Sequence, residues 1–309
     1  MTFESIRHRL ESGRPLVLDA DTGSSFRARG VELDSPGALG RLLREKPDDV
    51  LAHYQAEVQS RVDVISALTA DTTPRALAEV GMEHRSAALT SLAVDLALEA
   101  AAESPKPIAV AGTLGSEMVA PMAADRLHEE LAEHAARLAV AGCEVLLARG
   151  QGSRLELMAA VVAAARTELP TWAVVECLPN GELVAGGTVS SLTDALEGAG
   201  ASAILFEVCS VAHGVDMLDR AKAVLNGDGV CGVLLASSAD SVRGFADGTT
   251  LPEHWVDRAL DLEAHGARLI GGGAGTTEQH TAALARALGV LHPSVPPARS
   301  DTDVSLEPA

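Results

Sequence analysis

The sequence predicts a single (β/α)₈ barrel of the TIM type, and three observations carry that prediction. Short aliphatic runs alternate with longer Ala/Leu/Glu/Arg segments of helical period from about residue 15 to residue 289, which marks a parallel α/β protein. Eight such runs occur, each followed by helical sequence, and this favours a closed barrel over an open sheet. Hydrophobic residues make up 47% of the 309 positions and aromatic ones 2%, a balance suited to helices packed on a sheet that is buried on both faces.

The elements follow in order. The aliphatic runs 16–18, 62–66, 107–111, 144–148, 171–177, 203–208, 230–236 and 268–271 read as strands, with helical stretches such as 86–101, 125–141, 153–168 and 276–288 between them. After the second run, Thr73-Pro74 reads as a helix start with Thr73 as its cap. No Gly/Ser/Pro-rich break divides the chain, so residues 1–291 are expected to form one barrel. The tail 292–309, HPSVPPARSDTDVSLEPA, has four prolines and no apolar period, and is expected to be disordered.

Charge and cysteine usage narrow the function. A formal charge of −19 disfavours nucleic acid and anionic membrane surfaces, because phosphate binding relies on clustered Lys and Arg. No stretch approaches the roughly 20 apolar residues of a membrane span, and the start MTFESIRHRLESGRP lacks the apolar core of a signal peptide. Cys143, Cys177, Cys209 and Cys231 contain no CxxC pair and read as reduced thiols in a cytoplasmic protein. The expected partner is a small-molecule substrate, with a homo-oligomer or a partner subunit left open.

In such a barrel the chemistry sits where strands end and βα loops begin. The residues that follow the aliphatic runs are Asp19 and Asp21; Thr69, Asp71 and Thr72; Thr113 and Glu117; Arg149; Glu176 and Cys177; Glu207 and Cys209; Ser237, Ser238 and Asp240; and the run Gly271 to Thr277. The alternation of Glu176 with Cys177 leaves open which of them faces the barrel axis. Asp19, Glu176 and Glu207 are the candidates for acid–base work.

Three segments, in order, carry a family resemblance: Leu18-Asp19-Ala20-Asp21-Thr22-Gly23 followed by Arg29-Gly30; Ala203-Ile204-Leu205-Phe206-Glu207-Val208-Cys209; and Gly266 through Thr277 with His280 behind it. Over roughly residues 15 to 289 the chain resembles the homocysteine S-methyltransferase family. The resemblance implies methyl transfer to the sulfur of homocysteine from a donor such as S-methylmethionine, betaine or a methylated folate. It also implies a zinc ion held by three cysteine thiolates, whose open fourth position activates the substrate thiol.

The match at functional positions is partial. Asp19 and Cys209 stand where the family's residues stand, so Cys209 is the one matching metal-ligand position. The adjoining cysteine pair of the last strand is Gly273-Ala274, the asparagine before the first cysteine is Val208, and the glutamate expected to receive the substrate amine is Arg149. Zinc is therefore implied by the family and opposed by these residues. Arg149 would suit a carboxylate or phosphate, or else pair with Asp19 or Glu176. Consecutive glycines before a helix, with Gly272, Gly273 and Thr276, would offer N–H groups to an anion, or else are inherited with Thr276 serving as a helix cap. The expected function is methyl or alkyl transfer to a small-molecule acceptor without the three-cysteine zinc. The alternatives are a barrel enzyme of other chemistry acting on an anionic small molecule, and a catalytically silent relative that binds a ligand or partner.

Overall fold

The computed structural model describes residues 2–115, 122–150, 152–226, 229–237 and 251–291. Glu117, Ser238, Asp240 and the tail 292–309 lie outside the described residues. Eight parallel strands, β1 (Leu16–Val17), β2 (Val64–Ala67), β3 (Ala109–Leu114), β4 (Val145–Arg149), β5 (Thr171–Glu176), β6 (Ala203–Val208), β7 (Val230–Leu235) and β8 (Leu269–Gly272), pair in the order β1-β8-β7-β6-β5-β4-β3-β2. The remaining seam, between β1 and β2, is closed by a parallel bridge from Leu18 to Val64. Two backbone bonds flank it, Asp63 N–H to Val17 O at 2.8 Å and Asp19 N–H to Val64 O at 3.2 Å. The molecule is thus a (β/α)₈ barrel, and every strand falls on one of the eight aliphatic runs.

Alternation divides the strand residues between two cores. Leu16, Leu18, Val64, Val145, Leu147, Trp172, Val174, Leu205 and Leu269 fill the barrel, with Ala109, Ala111 and Ala203 leaving room for the indole of Trp172. Their neighbours, such as Val110, Leu146, Val175 and Phe206, pack under the helices. The helices Ser86–Ala102, Ala124–Ala141, Arg154–Ala165 and Glu278–Leu291 match the periodic stretches within a few residues. Thr73 does cap the helix Pro74–Ala78, its hydroxyl accepting from Ala76 N–H at 3.2 Å.

The charged N-terminal segment forms the helix Thr2–Glu11, which closes the floor of the barrel. Ile6 enters the interior core. Arg9 pairs with the buried Asp63, which also takes Lys106 Nζ at 2.7 Å and Val17 N–H at 2.9 Å. Two cations and a backbone donor supply the polar partners that a buried carboxylate needs.

The helix Pro47–Gln59 covers the seam. Proline at its first turn and Asp48 and Asp49 beside it suit a helix start. Val50, His53, Tyr54 and Glu57, spaced at helical period, are buried against the sheet.

Candidate active site

Counting outward from the interior core sorts the side chains at the strand ends. Trp172 and Val174 point inward, so Glu176 continues their row and Cys177 turns outward, its sulfur 3.1 Å from Met217 Sδ. On β6 the row Ala203, Leu205 leads to Glu207 and then to Cys209, while Val208 packs outside. On β4 the row Val145, Leu147 leads to Arg149. The barrel therefore brings Asp19, Arg149, Glu176, Glu207 and Cys209 to one mouth.

Glu176 and Glu207 are register partners on neighbouring strands, which sets two carboxylates side by side. Arg149 Nη1 reaches Glu207 Oε2 at 3.2 Å, and its charge also acts on Asp19. Burial raises the proton affinity of Glu207, Arg149 opposes that, and the charges of Asp21 and Glu176 add to it. Asp19 straddles the β1–β2 seam, accepting from Ser66 N–H at 2.6 Å and Ser66 Oγ–H at 2.9 Å. Burial lifts its pKa to about 6 against the pull of those two bonds. A carboxyl in that range holds a base near neutral pH and takes up a proton readily.

The glycine run has another use. An added Cβ at Gly271 would lie 2.8 Å from Leu18 Cβ, at Gly272 2.2 Å from Thr276 Oγ1, and at Gly273 3.0 Å from Ala236 N. Close packing of β8 on β1 and β7 requires these three glycines. N–H groups of the run are engaged as well: Gly272 donates to Asp19 O, Gly273 to Leu235 O and Gly275 to Ser24 Oγ. Thr276 is fully buried, its hydroxyl donating to Gly273 O at 2.7 Å and accepting from Asp21 N–H at 3.1 Å. The helix behind begins at Glu278, so Thr276 ties the last turn to the first strand end.

Cys209 sits in a small apolar cluster with Ala236 and Ala274. Cys143, Cys177 and Cys231 pack on the outer face of the sheet, where they cannot join it. Among the described residues no three His, Cys, Asp or Glu side chains are grouped to hold a metal ion. Zinc binding by thiolates needs three or four such donors at about 2.0–2.3 Å, and the residues around Cys209 do not fit it.

Three contributors lie off the strands. Arg258, on the helix Pro252–Ala264, donates to Cys209 O at 2.6 Å, Ser237 O at 3.0 Å and Ala236 O at 3.3 Å, gathering the ends of β6 and β7. Tyr54 Oη accepts from Leu68 N–H at 2.7 Å, and Glu57 Oε1 from Ala20 N–H at 3.3 Å. In the sequence Tyr54 and Glu57 stand at spacing three within one amphipathic helix, which is the available sign that both face the barrel. Asp71, read as a strand-end candidate, accepts from Leu39 N–H at 3.2 Å and anchors the helix Ala38–Glu45.

The whole-chain comparisons agree with this architecture. The homocysteine methyltransferase MmuM from Escherichia coli, in its metallated form, superposes with a TM-score of 0.76 at 20% identity, covering 91% of this chain and 99% of that one. Its oxidised form gives 0.74 at 19% identity, covering 88% and 96%. The 3-dehydroquinate dehydratase from Geobacillus kaustophilus, at 0.52 and 10% identity over 91% and 93%, shares the barrel alone. No curated protein matches the sequence. The family model described as homocysteine S-methyltransferase matches residues 16–288, nearly all of the barrel, and the chain belongs to the homocysteine S-methyltransferase family.

Proposed function

We propose that this protein transfers a methyl or other small alkyl group to a small-molecule acceptor, and does so without a three-thiolate zinc site. The carrying observation is the composition of the mouth: Asp19, Glu176 and Glu207 converge with Arg149 on a family barrel, while Cys209 has Ala236 and Ala274 for neighbours. Three carboxylates against one guanidinium favour a cationic donor such as a sulfonium or betaine, whose positive charge they would hold. In the transfer, the acceptor atom forms the new bond to the methyl carbon as the donor's bond to that carbon breaks, and the electron pair stays with the departing donor. The acceptor's proton goes to the Asp19 carboxylate. Positioning of the two substrates in line supplies much of the rate.

An anionic substrate has less support, since Arg149 is paired with Glu207 and the glycine amides are committed within the protein. The test is methyl transfer from S-methylmethionine to a panel of sulfur, nitrogen and oxygen acceptors by the chelator-treated protein. Turnover that survives chelation and is lost in Asp19→Asn supports the reading. Turnover that requires added zinc, or none with any acceptor, overturns it.

A further inference from the structure

The seam between β1 and β2 is held by one bridge, and Asp19 spans it through Ser66. Behind it the helix Pro47–Gln59 reaches both strand ends. Tyr54 holds Leu68 N–H just past β2, and Glu57 holds Ala20 N–H, the residue after Asp19. Glu57 is fully buried. Its second oxygen has no partner in hydrogen-bond geometry among the described residues, with the Thr281 hydroxyl in weaker contact with the carboxyl group, nor has either ring nitrogen of His53 one helical turn earlier. An orphaned carboxylate oxygen in an apolar wall calls for the neutral acid.

We propose that Glu57 is a positioning residue for Asp19: as a neutral acid it fixes the Ala20 peptide and so the aspartate beside it, and its ionisation would loosen the seam.

The groups around it agree. Asp19 in front and Glu278 on the helix Glu278–Leu291 both disfavour a second negative charge, while the Thr281 hydroxyl and Ala20 N–H favour it. Arg29 is paired with Glu278 at 3.3 Å, and His53 is held neutral by burial, its pKa near 3. Burial outweighs the favourable bonds and lifts Glu57 from its ordinary 4.5 to about 8. Folding therefore binds an extra proton between those values, and the stability that the acid form brings is complete below 4.5 and lost as pH rises to 8.

Glu57→Gln keeps an acceptor for Ala20 N–H and carries no charge at any pH. Its melting temperature should match the wild type near pH 4 and exceed it by roughly 5 °C or more at pH 8, with no further growth above that. Hydrogen exchange of peptides covering residues 18–22 should stay slow in Glu57→Gln and quicken in Glu57→Leu. Melting curves that keep a constant offset from pH 4 to pH 8 overturn the proposal, as does unchanged exchange in a folded Glu57→Leu. If Glu57→Leu does not fold, the Gln curves decide. The proposal rests on Asp19 as a working group of the mouth, yet neither measurement needs turnover, so a failure of the methyl-transfer reading is seen separately.

Discussion

Substituting Gly272 by alanine asks whether the glycine run serves packing or an anion. The new Cβ would lie 2.2 Å from Thr276 Oγ1 and 2.9 Å from Ala20 Cα. The first neighbour is the hydroxyl joining Gly273 O to Asp21 N–H, and the second is backbone of the first strand end. Overpacking of a close-packed wall costs about 1–3 kcal/mol. Displacing the threonine forfeits two hydrogen bonds at about 1 kcal/mol each. Together the loss is about 3–5 kcal/mol, a large part of the roughly 5–15 kcal/mol that separates folded from unfolded protein. Urea denaturation followed by circular dichroism reads it as a lower midpoint at unchanged slope. Gly289→Ala is the control: nothing lies within 4 Å of its added Cβ, and helix propensity predicts a gain of about 0.5–1 kcal/mol. A Gly272→Ala protein within about 0.5 kcal/mol of wild type would refute the packing argument. Loss of a phosphate-induced rise in melting temperature without loss of midpoint would move the glycines to anion binding.

Three further outcomes follow from the geometry. Methyl transfer should rise about tenfold between pH 5 and pH 7 with its midpoint near the pKa of about 6 for Asp19, because the ionised carboxylate is the base, and the rise should be missing in any residual activity of Asp19→Asn. Arg149→Met leaves Glu207 beside Glu176 without its 3.2 Å partner; Glu207, whose proton affinity burial already raises, then holds its proton to still higher pH, so thermal stability of the variant should fall below wild type by about 1–2 kcal/mol as pH rises to neutral. Arg258→Met removes the donors to Cys209 O and Ser237 O, and should cost about 2–3 kcal/mol with faster hydrogen exchange near residues 208–210; unchanged exchange there would show that the strand ends hold without it.

Strand positions were legible because burial on both faces leaves its print in residue type: Val145-Leu146-Leu147-Ala148 is buried throughout and reads as an unbroken run. The inward direction of Glu176 was not legible, since it depends on a parity set by Trp172 deep in the barrel. Gly271 to Gly273 were ambiguous for a different reason. A glycine demanded by a neighbour's approach and one demanded by a ligand look alike until the neighbours, here Leu18, Thr276 and Ala236, are in place. Arg258 sits about 50 residues from the Cys209 carbonyl that it binds, and no local pattern links them. The floor helix escaped notice because charged Arg9 is the group that seals it, through Asp63.

The filled interior above that seal decides where ligands can enter. With Leu147, Trp172 and Val174 packed along the axis and Ile6 and the Asp63 ion pairs beneath them, a ligand would reach Asp19, Arg149 and Glu207 from the mouth. If two substrates of a methyl transfer stack in that mouth, the deeper one would have to enter first and its product would leave last. Access from one side would then impose an order on two-substrate kinetics, and a spent donor lying above would inhibit by blocking the way out.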